Sequence, residues 1–419
     1  MSNAANTSAS TAAPASVGAG NAPAPIGYIA PLVRPPGRPR GLLWQTMVDT
    51  FGRRGAKFGA MWLLVIVFCG VFAPLIASTH PILMERNGVW SSPMWQSLTA
   101  VDLALLAGTV ALVVCLIVRG VRFGELFVVL IVVVAAIFPL ASLSKHVVSQ
   151  DYYAGYREDE RAGRITSAVR TIIPYSPSDR MRDMPERRLK PPSRNNWLGT
   201  NANAEDLASG MIHACRIALS IGLISTSIAL AIGIVVGGAM GYYARWVDLI
   251  GMRLIEIFES IPTLLVLIIV MAAYGRNIYL MMVVIGLLTW PGTARFVRAE
   301  FLRLRTQDFV QAAVASGLGQ LAIIYKHILP NGLTPVLVTA TFGVAGAILT
   351  EATLSYLGLG LVDEPSWGRM LNDVRQGGQG FVWWMAVFPG GAIFLTVYAY
   401  ALIGDSMRDA LDPKLKKRD

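Results

Sequence analysis

The sequence predicts an all-α polytopic membrane protein with about eight transmembrane helices, and three observations predict it. Of its 419 residues, 54% are hydrophobic and only 15% charged, whereas a soluble globular domain carries about 25% charged residues. The mean hydropathy is +0.52, which excludes a largely disordered chain. The apolar residues also gather into eight runs near the length that spans a hydrocarbon core. Finally, Lys and Arg collect in alternate short connections, as they do where such connections face the cytoplasm. Helix is the default for each run, because backbone polar groups in lipid must bond within their own segment.

Residues 1–57 come first. The stretch to residue 40 is rich in Ala, Ser, Pro, Gly and Asn, and the first acidic residue is Asp49. It is expected to be a disordered cytoplasmic tail. Residues 58–143 hold three runs, Phe58–Ala77, Leu103–Val118 and Leu126–Leu143. Arg53, Arg54 and Lys57 before the first run place the amino-terminal side in the cytoplasm. Residues 144–213 carry eleven Lys and Arg against nine Asp and Glu. Loops longer than about 60 residues cross largely regardless of charge, so this segment is expected outside, with local helix near Glu158–Arg170.

Five runs follow in residues 214–410: Ile217–Gly241, Ile261–Tyr274, Ile278–Ala294, Leu333–Thr350 and Phe381–Gly404. Internal connections carry Arg245 and Arg253, then Arg295, Arg298, Arg303, Arg305 and Lys326. The end, 411–419, is basic and expected in the cytoplasm. The formal charge of +10 thus resolves into an inner-face ring, and no nucleic-acid stripe is left over. Cys69, Cys115 and Cys215 lie far apart in or beside apolar runs, which argues against a disulfide framework. His80, His146, His213 and His327 are isolated, with no HExxH, so no metal site is visible. No GxxxxGK[ST] phosphate loop and no GxSxG elbow occurs. No cofactor or catalytic constellation is implied, and the energy for transport must come from another subunit or an ion gradient.

The most informative segment lies within the internal loop 295–331, at Asp308–Asn331. Ala312, Ala313, Ala315, Ser316, Gly317 and Gly319 make a small-sided stretch that lets another protein's groove approach the backbone. Gly317 can supply the positive φ that ends one short helix. A second helix, Leu321 to Ile328, would put Leu321, Ile324 and Ile328 on one stripe, with Pro330 restricting its continuation. An ordinary helical hairpin between spans is the plainer alternative.

QAA-x3-G, with Leu-Pro twelve residues after the glycine, resembles the EAA loop of permease subunits of binding-protein-dependent ABC importers. Asn196–Thr200 (NWLGT), Gly241–Asp248 with Arg253–Pro262, and Ile348–Met370 resemble the C-type permease of the oligopeptide/dipeptide branch. The resemblance covers roughly residues 195–410. It implies a type I importer permease core, non-catalytic itself, in a multi-pass inner-membrane protein with both termini cytoplasmic. It implies as partners a second permease, in a heterodimer, one or two cytoplasmic ABC ATPases, an extracytoplasmic solute-binding protein and membrane lipid, with no nucleic acid. Carried over by position, Gln311, Ala312, Ala313 and Gly317 would form the ATPase-coupling helix, with Leu329 and Pro330 closing the loop. Peptides or related small solutes are the substrates implied by the branch.

Two departures stand out. Gln311 replaces the usual Glu, and Asn201–Asp206 reads NANAED where the family has an acidic, Gly-Arg-Asp-rich stretch. The Leu103–Leu143 hairpin looks like an insertion. Gly233, Gly237, Gly238 and Gly241 give one small-residue face; it meets either a partner permease or, the favoured reading, the same chain. Glu256, Glu259 and Glu351 are the intramembrane carboxylates that a rival reading, a stand-alone secondary transporter or channel, would use. Paired or solvated structural carboxylates are the expected reading. Trp367, Trp383 and Trp384 fit an interfacial aromatic belt.

Overall fold

A computed structural model describes residues 42–117, 151–181, 184–361, 364–376 and 381–411. Helix α1 (Leu42–Gly52) and helix α2 (Arg54–Ile76) open it. The tail expected to reach residue 57 therefore gives way to helix by Leu42. Helices α3 (Pro93–Ser97) and α4 (Ala100–Ile117) follow, and then α5 (Asp151–Arg161). The core is α6 (Leu207–Tyr243), α7 (Arg245–Ser260), α8 (Thr263–Tyr274) and α9 (Ile278–Leu304). After it come α10 (Asp308–Ala315), α11 (Gln320–Tyr356), α12 (Trp367–Gln376) and α13 (Trp383–Leu411).

Eight spans were expected. Among the described residues, α2, α6, α9, α11 and α13 are long and apolar enough to cross a membrane. The pair α7–α8, bent by 69° at a short break, adds a sixth if it counts as one. The break has a local cause: Pro262 precedes α8 and disfavours helical backbone at Ile261. The second expected run is α4, whose apolar part is shorter than a span. The third, Leu126–Leu143, lies outside the described residues, as does most of the basic end.

The directions of the long helices follow from their contacts. Ser225 Oγ donates to the Met282 carbonyl at 2.9 Å, Gly237 lies against Ala294, and Gly241 against Arg298 and Phe301. Positions advance together, so α6 and α9 run parallel. Arg53 at the start of α2 pairs with Asp409 near the end of α13. One end of the bundle therefore gathers residues 54, 243, 304 and 409, and the other gathers 76, 207, 278 and 383. The largest core cluster joins α2, α6, α11, α12 and α13 around Ile66, Cys215, Ile348, Met370 and Met385.

At the 207/278 end sits a small cap that the helical pattern does not announce. Strands β1 (Leu83–Arg86), β2 (Val89–Ser91) and β3 (Ile165–Val169) form a sheet in the order β2-β1-β3. Asn87 and Gly88 both hold positive φ, at 52° and 77°, the two-residue hairpin turn that matches strand twist. The helix expected near Glu158–Arg170 is corrected: helix ends at Arg161, and 165–169 is strand. Ile165 and Val169 are β-branched, and pairing with β1 satisfies their backbone groups. Asp159 binds Arg86 and Arg164, and Asp179 binds Arg157 at 2.8 Å, locking the cap.

Candidate functional site

The loop from Arg305 to Asn331 lies at the 243/304 end of the bundle. Helix α10 hangs on two inward residues, Val310 and Ala313, which join Val297, Phe301, Leu304, Ile323, Ile328 and Val336 in one buried cluster. A spacing of three puts them on one face. Gln311 and Ala312 occupy the opposite face and are exposed. The Gln311 amide donates to the Arg305 carbonyl at 2.8 Å. The glutamine in place of the family's glutamate thus caps the end of α9 with a donor that a carboxylate lacks. Gly317 holds φ at 74° with open space around it, in the backbone region expected for it. Phe309, Val314, Leu318, Leu321 and Tyr325 are exposed around it. The result is a narrow, small-sided ridge with an apolar rim.

Two expectations for this loop are corrected. Leu321 does not share a buried stripe with Ile324 and Ile328: it is 64% exposed, and Ile323 is buried with Ile328 instead. Residues 324–328 form a wide π turn. In that turn five-residue spacing, not four, returns to the same face. Pro330 does not end the helix, which continues to Tyr356. Its missing N–H and ring clash fall on the turn that the π geometry has already widened. Leu329 and Pro330 thus begin the next long helix instead of closing a loop.

Polar groups around this end are paired. Asp248 receives a two-pronged contact from Arg298, one prong at 2.6 Å. Glu256 pairs with Arg253, and Glu259 with Arg295. Glu351, buried in α11, accepts from Ser355 Oγ at 2.6 Å. These carboxylates have the partners that structural roles require. The glycine face packs within the chain: a Cβ on Gly237 would stand 2.3 Å from the Ala294 carbonyl oxygen.

The remaining family-like stretches build the 207/278 end. Asn196 donates to Asp206 at 2.7 Å, and Asp206 caps α6 by accepting from the Ser209 N–H. Burial pushes the Asp206 carboxyl up, against those two bonds. Trp384 donates to the Thr200 carbonyl and Trp367 to the Met211 carbonyl. The aromatic belt is therefore corrected. Trp367 is 2% exposed and belongs to the core, and only Trp383 presents a large open face.

Sequence reasoning missed a cavity of about 880 Å³ at this end, walled by the cap, α4, α6, α9 and the segment 364–373. Five carboxylates and three guanidinium groups line it. Arg216 on α6 pairs with Asp102 on α4 at 2.6 Å, and its second terminal nitrogen has no partner. Arg180 pairs with Glu205 at 3.0 Å. Burial lifts the Asp373 carboxyl to about 6, with Glu205 adding to the rise and Arg369 opposing it. The signal was available: Arg216 is a lone charge beside a long apolar run, a functional pointer by default. Among the described residues no group of His, Cys, Asp and Glu is arranged to hold a metal ion.

Comparison with known proteins places this geometry. The family described as binding-protein-dependent transport system inner membrane component matches residues 231–417. Dipeptide transport system permease protein DppC of Alkalihalophilus pseudofirmus is 39% identical over 233 residues, covering 55% of this chain and 76% of that protein. Oligopeptide transport system permease protein OppC of Haemophilus influenzae is 39% identical over 220 residues, or 52% and 70% of the two chains. Glutathione transport system permease protein GsiD of Pectobacterium atrosepticum is 37% identical over 226 residues, or 54% and 75%. The family match begins inside α6, so α2, α4 and most of the cap precede it. The chain belongs to the family of binding-protein-dependent transport system inner membrane components, the permeases of ABC importers.

Proposed function

We propose that this chain is the permease subunit of an ATP-driven importer for peptides or related small solutes, multi-pass in the inner membrane with both termini cytoplasmic. It forms half of the translocation pore beside a second, distinct permease. Its 308–331 loop docks on one of one or two cytoplasmic ATPases, and an extracytoplasmic binding protein delivers the solute. Hydrolysis belongs to the ATPase, and this chain is not an enzyme. The single observation carrying the reading is the exposed Gln311–Ala312 ridge, pinned from behind by Val310 and Ala313. Force applied to a short helix seated on the end of α9 and the start of α11 reaches two spans directly. The relatives' names supply the solute class.

A stand-alone ion-coupled transporter is the weaker reading, because Glu256 and Glu259 are already ion-paired. Affinity purification of the tagged chain from its own membranes tests the docking. An ATPase subunit is expected to co-purify, and Gly317→Pro is expected to abolish its recovery, because proline fixes φ near −65° where the loop needs 74°. Full ATPase recovery with that variant, in a chain that still folds, would overturn the docking assignment.

A further inference from the structure

The cavity at the 207/278 end lies a whole helix away from the 308–331 loop. Helix α9 joins the two levels through 27 residues, roughly 40 Å at 1.5 Å per residue. Its walls differ in character. One side is apolar, with Ile217 and Ile224 of α6 facing Ile278 and Met282 of α9. The other is acidic, where Glu205 and Asp373 stand close enough to repel one another.

The positive charges in the lining are committed elsewhere. Arg216 serves Asp102, and Arg180 serves Glu205. The lining therefore keeps an excess of negative charge, two by formal count over five carboxylates and three guanidinium groups. A cation placed between Glu205 and Asp373 relieves their mutual repulsion, and a partly desolvated site strengthens that attraction. The apolar wall suits a hydrocarbon side chain attached to that cation. A volume of about 880 Å³ lies within the range of small-molecule sites. One wall is built by the cap and α4, which precede the family match.

We propose that this cavity is a solute-holding site that takes a short peptide by its free amino end. The α-ammonium lies against Asp373 and Glu205, and the first side chain rests on Ile217, Ile224, Ile278 and Met282. The proposal rests on the peptide-importer reading and adds a binding site within the permease itself.

The test is direct binding to the full chain in lipid nanodiscs, by calorimetric titration with Leu-Gly-Gly. Three parallel titrations use N-acetyl-Leu-Gly-Gly, Gly-Gly-Gly and cadaverine. Leu-Gly-Gly is expected to bind at least about tenfold tighter than each, the equivalent of one charge-assisted contact. Asp373→Asn is expected to remove the preference for the free amine. Ile224→Trp, which fills the apolar side, is expected to remove binding of Leu-Gly-Gly. Equal binding of the free and acetylated peptides, equal binding of cadaverine, or no peptide binding at all would overturn the site. ATPase co-purification reports separately on the importer reading: a chain that recruits the ATPase and binds no peptide disproves this site alone.

Discussion

The contact between α6 and α9 offers the sharpest check on the architecture, through Gly237→Ala. A Cβ at this position would lie 2.3 Å from the Ala294 carbonyl oxygen and 2.9 Å from that residue's Cα. Both are backbone atoms of a regular helix, so no side chain can swing aside. An ordinary carbon–oxygen contact is about 3.3 Å, so the helices must part by about 1 Å. A gap of that size forfeits roughly a quarter to a half of each dispersion well along the seam. Gly233 and Gly241 approach α9 just as closely, so the whole seam loosens together. Overpacking of this kind costs about 1–3 kcal/mol, while replacing a helical glycine by alanine returns up to about 1 kcal/mol.

The control is Gly292→Ala in α9, where a Cβ meets nothing within 4 Å. There only the propensity gain operates, so the two alanines are expected to act in opposite directions. Thermal unfolding of the full chain in detergent, followed by tryptophan fluorescence, reads both. Gly237→Ala should unfold several degrees below the parent, and Gly292→Ala at or above it. If Gly237→Ala proved as stable as Gly292→Ala, the backbones would not meet at that distance and the internal seam would be wrong.

Three further outcomes follow from the same geometry. Ile328→Ala, at 0% exposure, is expected to cost about 2–5 kcal/mol, whereas Leu321→Ala, at 64%, should stay within about 0.5 kcal/mol; the reverse order in denaturant unfolding would restore the plain four-residue stripe. A double-mutant cycle on Asp248 and Arg298 should give a larger coupling than one on Arg253 and Glu256, which is far more exposed and worth about 0.3–0.5 kcal/mol; equal couplings in unfolding experiments would refute the two-pronged bond. Asp373 holds its proton to about pH 6 when folded against 3.8 for the ordinary group, so folding takes up a proton between those values. Its contribution to stability is therefore present at low pH, falls as pH rises through that window and levels off above it. Unfolding midpoints of parent and Asp373→Asn measured across that range should diverge as pH rises, and parallel profiles would refute the shift.

Legibility in the sequence tracked the range of the forces involved. Span positions depend on local hydropathy alone, and Phe58–Ala77 or Ile278–Ala294 could be read within a few residues of the helices that form there. Gly317 was legible because a positive φ is a local demand that one residue type meets cheaply. The inward face beyond it was not, because the π turn at 324–328 shifts the register by one residue, and pattern matching assumes a constant period. The three-stranded sheet was hidden for a different reason. Its hairpin carries a plain Asn87-Gly88 signal, yet β3 comes from a segment about eighty residues further on, and pairing at that distance leaves no local trace. Trp367 looked like an interfacial anchor because indole suits both a membrane surface and a core, and only its bond to the Met211 carbonyl separates the two.

The cavity was the least legible feature, because its charges are scattered over α4, α6, the 201–206 turn and α12. No single stretch of sequence carries the site, and the fold alone brings Asp102 to Arg216 and Glu205 beside Asp373. A site of that kind is also the easiest to alter without disturbing the bundle. Its acidic wall lies on a turn and a short helix, whereas the long parallel pair α6 and α9, whose spacing the glycines set, supplies only the apolar side. Solute preference and mechanical coupling therefore occupy opposite ends of the same two helices. Substitutions at one end are free to retune the solute while the other end keeps its grip on the motor.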